Sequence, residues 1–214
     1  MASRQGSKLS RVLEVERKFR SLAVRDLSQH GRFPHFRSLR KLPVQCLHDT
    51  YYDQSSLLSS AGAWVRRRNG AWQAKIKKGG TFNNSKFEEL CDARDISSHI
   101  TRITGTNKLE ADNFGLLPIA NFSTRRETWI ADDEFHIALD IMDFGHEVGE
   151  VELQRVLHDI AGGGDLSEQQ EQRLMQEMDE KISTFMKQYS WAFSPGEPKG
   201  KLTAYFERMR MKAI

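Results

Sequence analysis

The sequence has little of what would mark several large classes of protein. Only two of its 214 residues are cysteine, Cys46 and Cys91. They form no C-x-x-C pair and no metal-like spacing, which argues against a disulfide scaffold or a thiolate site and fits a reduced intracellular chain. No apolar run approaches the ~18 residues of a membrane span. The opening Met1-Ala2-Ser3-Arg4-Gln5-Gly6-Ser7-Lys8 lacks an apolar core, so no secretory signal is read there. It is basic and free of acids, a faint likeness to a transit peptide, and a cytoplasmic location is expected. Net charge is small as well: 32 Lys and Arg against 29 Asp and Glu leave +3. That excess does not by itself argue for nucleic acid. What the chain does have is 12 Phe, 4 Trp and 38% hydrophobic residues, enough to build a core and too much for wholesale disorder.

Strands dominate the pattern. Residues 12–19 alternate, with Val15, Arg17 and Phe19 on one face and Glu14, Glu16 and Lys18 on the other. Residues 46–53 read as a strand. Three more follow closely at 63–68, 71–77 and 86–91, the first two joined by the hairpin signal Asn69-Gly70. Residues 119–130, 134–141 and 147–157 complete the set. Helices are expected at 24–30 and at 108–114. Another is expected from a cap at Asp95, with Ile96, His99, Ile100 and Ile103 on one face and Gly105 as its stop. A further helix opens at Ser167, with Gln170 as capping-box partner, and a last one covers 202–211. Gly162-Gly163-Gly164 reads as a linker. The fold class is therefore α+β with a mainly antiparallel sheet. A short tail over 1–10 is expected to precede a single domain over 11–212.

Parity carries more information than composition. Along a strand, residues two apart point to the same side. Glu14, Glu16 and Lys18 share a side, as do Trp64, Arg66 and Arg68. Lys75 and Lys77 lie opposite Trp72, Ala74 and Ile76; Glu150 and Glu152 lie opposite Val151 and Leu153; Asp140 lies opposite Leu139 and Ile141. A solvated face explains any one of these strands. It does not explain why acids pair with acids and bases with bases. Paired acids suit a hard divalent cation, and paired arginines suit bidentate capture of phosphate oxygens. Together they imply a closed or nearly closed sheet with a charged lumen, holding a polyphosphate and a metal.

The residues also carry a resemblance. Glu14-Val15-Glu16-Arg17-Lys18 has the pattern E-x-E-x-K. After it come, in order, Asp49-Thr50-Tyr51-Tyr52-Asp53, Trp64-Val65-Arg66-Arg67-Arg68, Trp72-x-x-Lys75, Glu88-Glu89-Leu90 and Phe122-x-Thr124-x-Arg126. Leu139-Asp140, Asp143-Phe144-Gly145, Val148-Gly149-Glu150-Val151-Glu152, Lys201 and Tyr205-x-x-Arg208-x-Arg210 close the series. Over roughly residues 12–210 the chain resembles the CYTH family of triphosphate tunnel metalloenzymes, most of all its thiamine-triphosphatase branch. The resemblance implies an eight-stranded antiparallel tunnel with flanking helices. It also implies Mg²⁺-dependent hydrolysis of a triphosphate, with Mn²⁺ as an alternative ion. By position, Glu14, Glu16, Asp140, Glu150 and Glu152 match the metal-side acids. Lys18, Arg66, Arg68, Arg126 and Lys201 match the phosphate-binding bases. Lys75 matches the catalytic lysine, itself a sixth base for the phosphates, and Tyr51 its tyrosine partner. Trp64 stands where the branch stacks the thiazolium ring and Glu89 where it contacts the pyrimidine. The implied partner is a small-molecule triphosphate, bound by a monomer with no membrane and no nucleic acid.

The chain departs from the branch at three places. Ala138 replaces an acid two residues before Asp140, Phe87 replaces a tyrosine, and residues 33–43 are longer and more basic than expected. Arg37, Arg40 and Lys41 there read as a solvated loop, or else a patch for an acidic partner or RNA. The seven histidines have no ligand-like spacing and read as surface or packing residues. Lys75, placed near other cations, is expected to have a lowered pKa and to move a proton, alone or through Tyr51. Three other functions remain open: an inorganic triphosphatase, a nucleoside-triphosphate enzyme such as an adenylate cyclase, and a non-catalytic polyphosphate-binding module. Trp64 separates the first from a thiamine enzyme, because inorganic triphosphate has no ring to stack.

Overall fold

A computed structural model describes residues 11–157 and 166–212 of the chain. The tail expected over 1–10, the Gly162-Gly163-Gly164 linker and His158 lie outside the described residues. Among the described residues nine strands form one sheet with antiparallel pairings: β1 (Arg11–Phe19), β2 (Leu39–Lys41), β3 (Gln45–Asp53), β4 (Ala63–Arg68), β5 (Ala71–Gly80), β6 (Asn84–Leu90), β7 (Leu117–Ala131), β8 (Phe135–Met142) and β9 (Glu147–Leu157). Eight of them close a ring in the order β7-β3-β4-β5-β6-β1-β9-β8, and β8 pairs back onto β7. β2 pairs with Trp129–Ala131 of β7, beyond the stretch taken by β3, so the ring stays at eight.

β1 shows why the sheet closes. Leu13 and Val15 are fully buried on one face, and Glu14 and Glu16 are buried on the other. A strand with carboxylates on a buried face needs an enclosed polar interior, since burying charge without partners is costly. The β4–β5 turn is the expected Asn69-Gly70, with φ of 48° and 88°, the left-handed pair whose twist suits a two-residue hairpin.

Helices seal the outside. A single turn, α1 (Leu57–Ser60), bridges β3 and β4. α2 (Ala93–Thr104) lays Ile96 and Ile100 over Val65, Trp72, Ala74 and Ile76 and stops at Gly105, as expected. α3 (Glu168–Gln188) begins at the expected capping box of Ser167 and Gln170. It lays Met175, Met178, Ile182 and Phe185 over Leu13, Val15, Ile137 and Leu153. α4 (Lys201–Lys212) packs Tyr205 against Phe122 and Phe144, and so fixes Lys201 at the ring.

Three local expectations fail. The cap of α2 is Asp92, which accepts the Arg94 N–H, while Asp95 lies in the first turn. Ala93 and Arg94 are good helix formers and start the helix earlier. Residues 24–30 form no helix: Leu27 is the one buried side chain there, so no apolar stripe supports one. In place of a helix at 108–114 there is a 3₁₀ turn, Glu110–Gly115, with Asn113 and Phe114 at positive φ. The basic segment at 33–43 is tied down by ion pairs, Arg37 to Asp132 and Lys41 to Glu127.

Gly149 faces Phe19 across the β1–β9 pair, and a Cβ there would lie 2.0 Å from a ring carbon. Gly149→Ala is therefore expected to destabilise the protein by about 1–3 kcal/mol through overpacking. Urea unfolding should show a lower midpoint at unchanged slope. An unmoved midpoint would mean that the Phe19 ring yields freely.

Candidate functional site

Alternate side chains of the ring meet in a central cavity of about 470 Å³, within the range of small-molecule sites. Glu14, Glu16 and Lys18 reach it from β1, and Glu150 and Glu152 from β9. Trp64, Arg66 and Arg68 reach it from β4 and Lys75 from β5. Tyr51, Glu89 and Arg126 come from β3, β6 and β7, and Lys201 from the head of α4. Asp140 of β8 is buried and is bound by Arg126 and Lys201, both of which line the cavity. The acid-rich strands β1 and β9 are neighbours; β4, which carries Arg66 and Arg68, lies across the ring from β9, and β5, which carries Lys75, is separated from β1 by β6 alone.

Register brings like charges together. Glu16 stands directly opposite Glu152 in the β1–β9 pair, an arrangement that repels. Glu16, Glu150 and Glu152 each offer a carboxylate oxygen within 4.8 Å of the others, and all three are buried. Burial and the charges of Glu14 and Glu150 push the Glu152 carboxyl well above its ordinary range, against the pull of Arg126. Glu16 is raised too, by burial and by Glu150, despite Lys75 and Lys18. Glu150 goes the other way: burial is outweighed by Lys201, Lys18, Lys75 and Arg126, which hold it low. Asp140 is buried as well, yet Lys201 and Arg126 bring it down to about 2.

Crowded buried carboxylates, of which Glu16 and Glu152 are raised, are what a divalent cation would relieve, so the donor set fits a hard metal ion. Glu16, Glu150 and Glu152 would hold it, with Glu14 beside them. Asp140 gives both oxygens to Arg126, at 2.7 Å each, and one of them also to Lys201.

Lys75 overturns one expectation. Burial works against its charge, but Glu14, Glu16, Glu89 and Glu152 outweigh burial, and the ammonium is held well above its ordinary range. Its neighbours are acids rather than the cations assumed from sequence. Nζ bonds Glu14 and lies 3.4 Å from both Glu16 and Glu89. Tyr51 is not brought onto Lys75; its hydroxyl accepts from Arg66 Nη1 at 3.4 Å. Glu89 is separated from Glu88, which faces outward to Lys78 and Arg11. Trp64 stands edge-on to Phe87 with ring centroids 5.7 Å apart.

Sequence reasoning passed over three polar residues. Asp49 is fully buried and holds Arg68 through two bonds of 2.7 and 2.6 Å. Gln73 accepts from Arg66 Nε at 2.9 Å, and Gln154 donates to Glu14 at 2.9 Å. Their parity with Tyr51, Lys75 and Glu152 is the signal that could have found them.

A closed antiparallel barrel whose lumen gathers carboxylates on β1 and β9 and lines the same cavity with lysines and arginines is a container for a polyanion and a cation together. Residues 13–186 match the CYTH domain, and the chain belongs to the CYTH family. Thiamine-triphosphatase from Homo sapiens is 32% identical over 123 residues, a match covering 49% of this chain and 54% of that protein. The chain thus spans about half the length of this relative. Solved structures share the fold, two of them as follows. A Pyrococcus horikoshii OT3 protein has a TM-score of 0.54 at 16% identity, covering 91% of this chain and 99% of its own. A candidate adenylyl cyclase from Hippeastrum, described as having a dominant triphosphatase activity, has a TM-score of 0.51 at 12% identity. That likeness covers 94% of this chain and 96% of the Hippeastrum chain.

Proposed function

We propose that the chain hydrolyses a triphosphate with the help of Mg²⁺, and that the substrate is thiamine triphosphate, giving thiamine diphosphate and phosphate. The observation that carries this reading is the charged lumen, with three buried carboxylates gathered on β1 and β9, and Arg66 and Arg68 on β4 across the ring from β9. The name of the Homo sapiens relative and the place of Trp64 in the lumen support the thiamine ester. The reading extends to a monomeric cytoplasmic enzyme of one domain over 11–212. Among the described residues, no helix is long and apolar enough to cross a membrane.

The terminal phosphoryl group leaves through a loose transition state, so positioning and charge stabilisation supply most of the catalysis. Arg66, Arg68, Arg126, Lys18 and Lys201 bind and align the phosphate oxygens. The metal ion supplies Lewis-acid stabilisation of those oxygens when bound. Lys75, held as an ammonium, keeps its proton at Nζ, where it stabilises charge on the departing oxygen and can donate to it. Trp64 receives the thiazolium ring, a cation over an indole face.

Phosphate release from thiamine triphosphate, inorganic triphosphate and ATP, each with and without Mg²⁺, tests the reading. Thiamine triphosphate should lead, and only with metal. Trp64→Ala should lower kcat/KM for thiamine triphosphate about tenfold, the scale of a cation–π contact, and leave inorganic triphosphate unchanged. An equal loss on all three substrates would remove Trp64 from recognition. A preference for ATP would move the chain to the nucleotide enzymes of the fold.

A further inference from the structure

The cations of the lumen are not equivalent. Asp49 grips Arg68, and Asp140 grips Arg126, each through two bonds. Glu150 and Glu152 stand a further 3.6 and 3.9 Å from Arg126. Lys18, Lys75 and Lys201 each touch a carboxylate. Arg66 differs. Among the described residues it is the one buried cation of the lumen with no carboxylate in ion-pair contact. Its bonded partners are neutral, the Gln73 amide oxygen and the Tyr51 hydroxyl, and the carboxylates of Asp49 and Glu89 act on its charge only from beyond contact.

The contact with Gln73 is fixed by register, since the two residues are direct partners across β4 and β5. The amide must turn its oxygen to the guanidinium, because its NH₂ would set donor against donor. Five N–H donors belong to a guanidinium; Gln73 and Tyr51 take two and leave three for an anion. Elsewhere in the lumen an arriving polyphosphate has to part an ion pair and strand a buried carboxylate, which is costly. At Arg66 nothing has to be parted. A neutral acceptor at position 73 orients the guanidinium without cancelling its charge; a carboxylate there would do both.

We propose that Gln73 is a positioning residue that keeps Arg66 oriented and unneutralised, and that Arg66 so held is the lumen's metal-independent docking point for the substrate's polyphosphate. This rests on the reading of the lumen as a triphosphate site. It assigns an order as well. The anion engages Arg66 first, and Lys18, paired with Glu16, would join where Glu16 is given over to a metal ion.

Calorimetric titration of inorganic triphosphate into the full chain, in excess EDTA, tests the proposal. The parent should bind. Gln73→Leu, which keeps bulk and loses the acceptor, should weaken metal-free binding about tenfold, the lower end of a hydrogen bond to a charged group. Gln73→Glu restores the acceptor and adds a carboxylate against Arg66. It should weaken metal-free binding at least as much while the melting temperature holds or rises. A glutamine of merely structural importance would be rescued by Glu, since the bond is restored. No metal-free binding by the parent would overturn the proposal. So would parent-like affinity in Gln73→Leu or in Gln73→Glu. Metal-free binding with the expected variant losses, but no triphosphate hydrolysis in Mg²⁺, would support the docking point and overturn the hydrolase reading alone.

Discussion

Lys75→Ala is expected to lower kcat for triphosphate hydrolysis by roughly 10²–10⁴-fold while weakening triphosphate binding less than about tenfold. Binding is shared among six bases, so the loss of one removes a fraction of the attraction. The transition state depends on Lys75 more sharply. Its Nζ touches Glu14, Glu16 and Glu89, which places the ammonium beside the acids that would hold the metal ion. A group there meets the phosphoryl group where charge develops. Those acids keep Lys75 protonated well beyond its ordinary range. A lysine acting through its ammonium is active below its pKa and fails as pH rises through it. No rise in rate attributable to Lys75 is therefore expected on going from neutral to mildly alkaline pH. A base of lowered pKa would give such a rise. Single-turnover rates and equilibrium binding, measured separately, check the split. Equal turnover in mutant and parent, or losses of the same size in rate and binding, would remove the catalytic role.

How far the sequence discloses this site depends on the range of the interaction concerned. The lumen-facing sets were legible because strand period is two and needs no partner: Glu14 and Glu16, Arg66 and Arg68, Glu150 and Glu152 all fall on the side that parity assigns. Ring closure was legible only indirectly, since β1 pairs with β6 and β9, and β3 with β7, across long stretches of chain. The sign of the Lys75 shift was not legible. It depends on Glu14 and Glu16, some sixty residues away in sequence, rather than on nearby Lys77 and Lys78. Asp49 and Gln73 were missed for the same reason: each matters through the arginine that register sets beside it, Arg68 and Arg66. Helix ends failed where local propensity was overlooked, as at Asp92, and the segment at 24–30 failed where one apolar residue was asked to hold a helix.

Metal and triphosphate should bind weakly alone and tightly together, each raising the other's affinity by up to about a hundredfold. The reason lies in how the lumen's acids and bases pair with one another. Lys18 lies on Glu16, Lys75 on Glu14, Arg126 and Lys201 on Asp140, and Arg126 also lies near Glu150 and Glu152. A cation arriving alone must take acids from bases and leave buried bases uncompensated. A polyanion arriving alone does the reverse at every base but Arg66. When both arrive, each removes part of the other's cost, and by linkage the gain is the same in either order. Glu152→Gln should raise the Mg²⁺ needed for activity, because among the described residues Glu152 has one cation in ion-pair contact, Arg126 at 3.9 Å, and so has little to release. Ala138 tests the idea from the opposite side. It is buried and pairs directly with Glu150 across β8 and β9, on the lumen side shared with Asp140. Ala138→Asp adds an acid that no base already holds. Metal alone should then bind more tightly, and the coupling should shrink. Substrate preference should not change, since Trp64 and the bases are untouched. Titration of Mg²⁺ into parent and mutant, with and without a non-hydrolysable triphosphate analogue, reads all of these terms. Tight Mg²⁺ binding by the empty parent would show that the lumen's acids are not held by its bases. Equal affinity with and without the analogue would show that the two ligands do not share them.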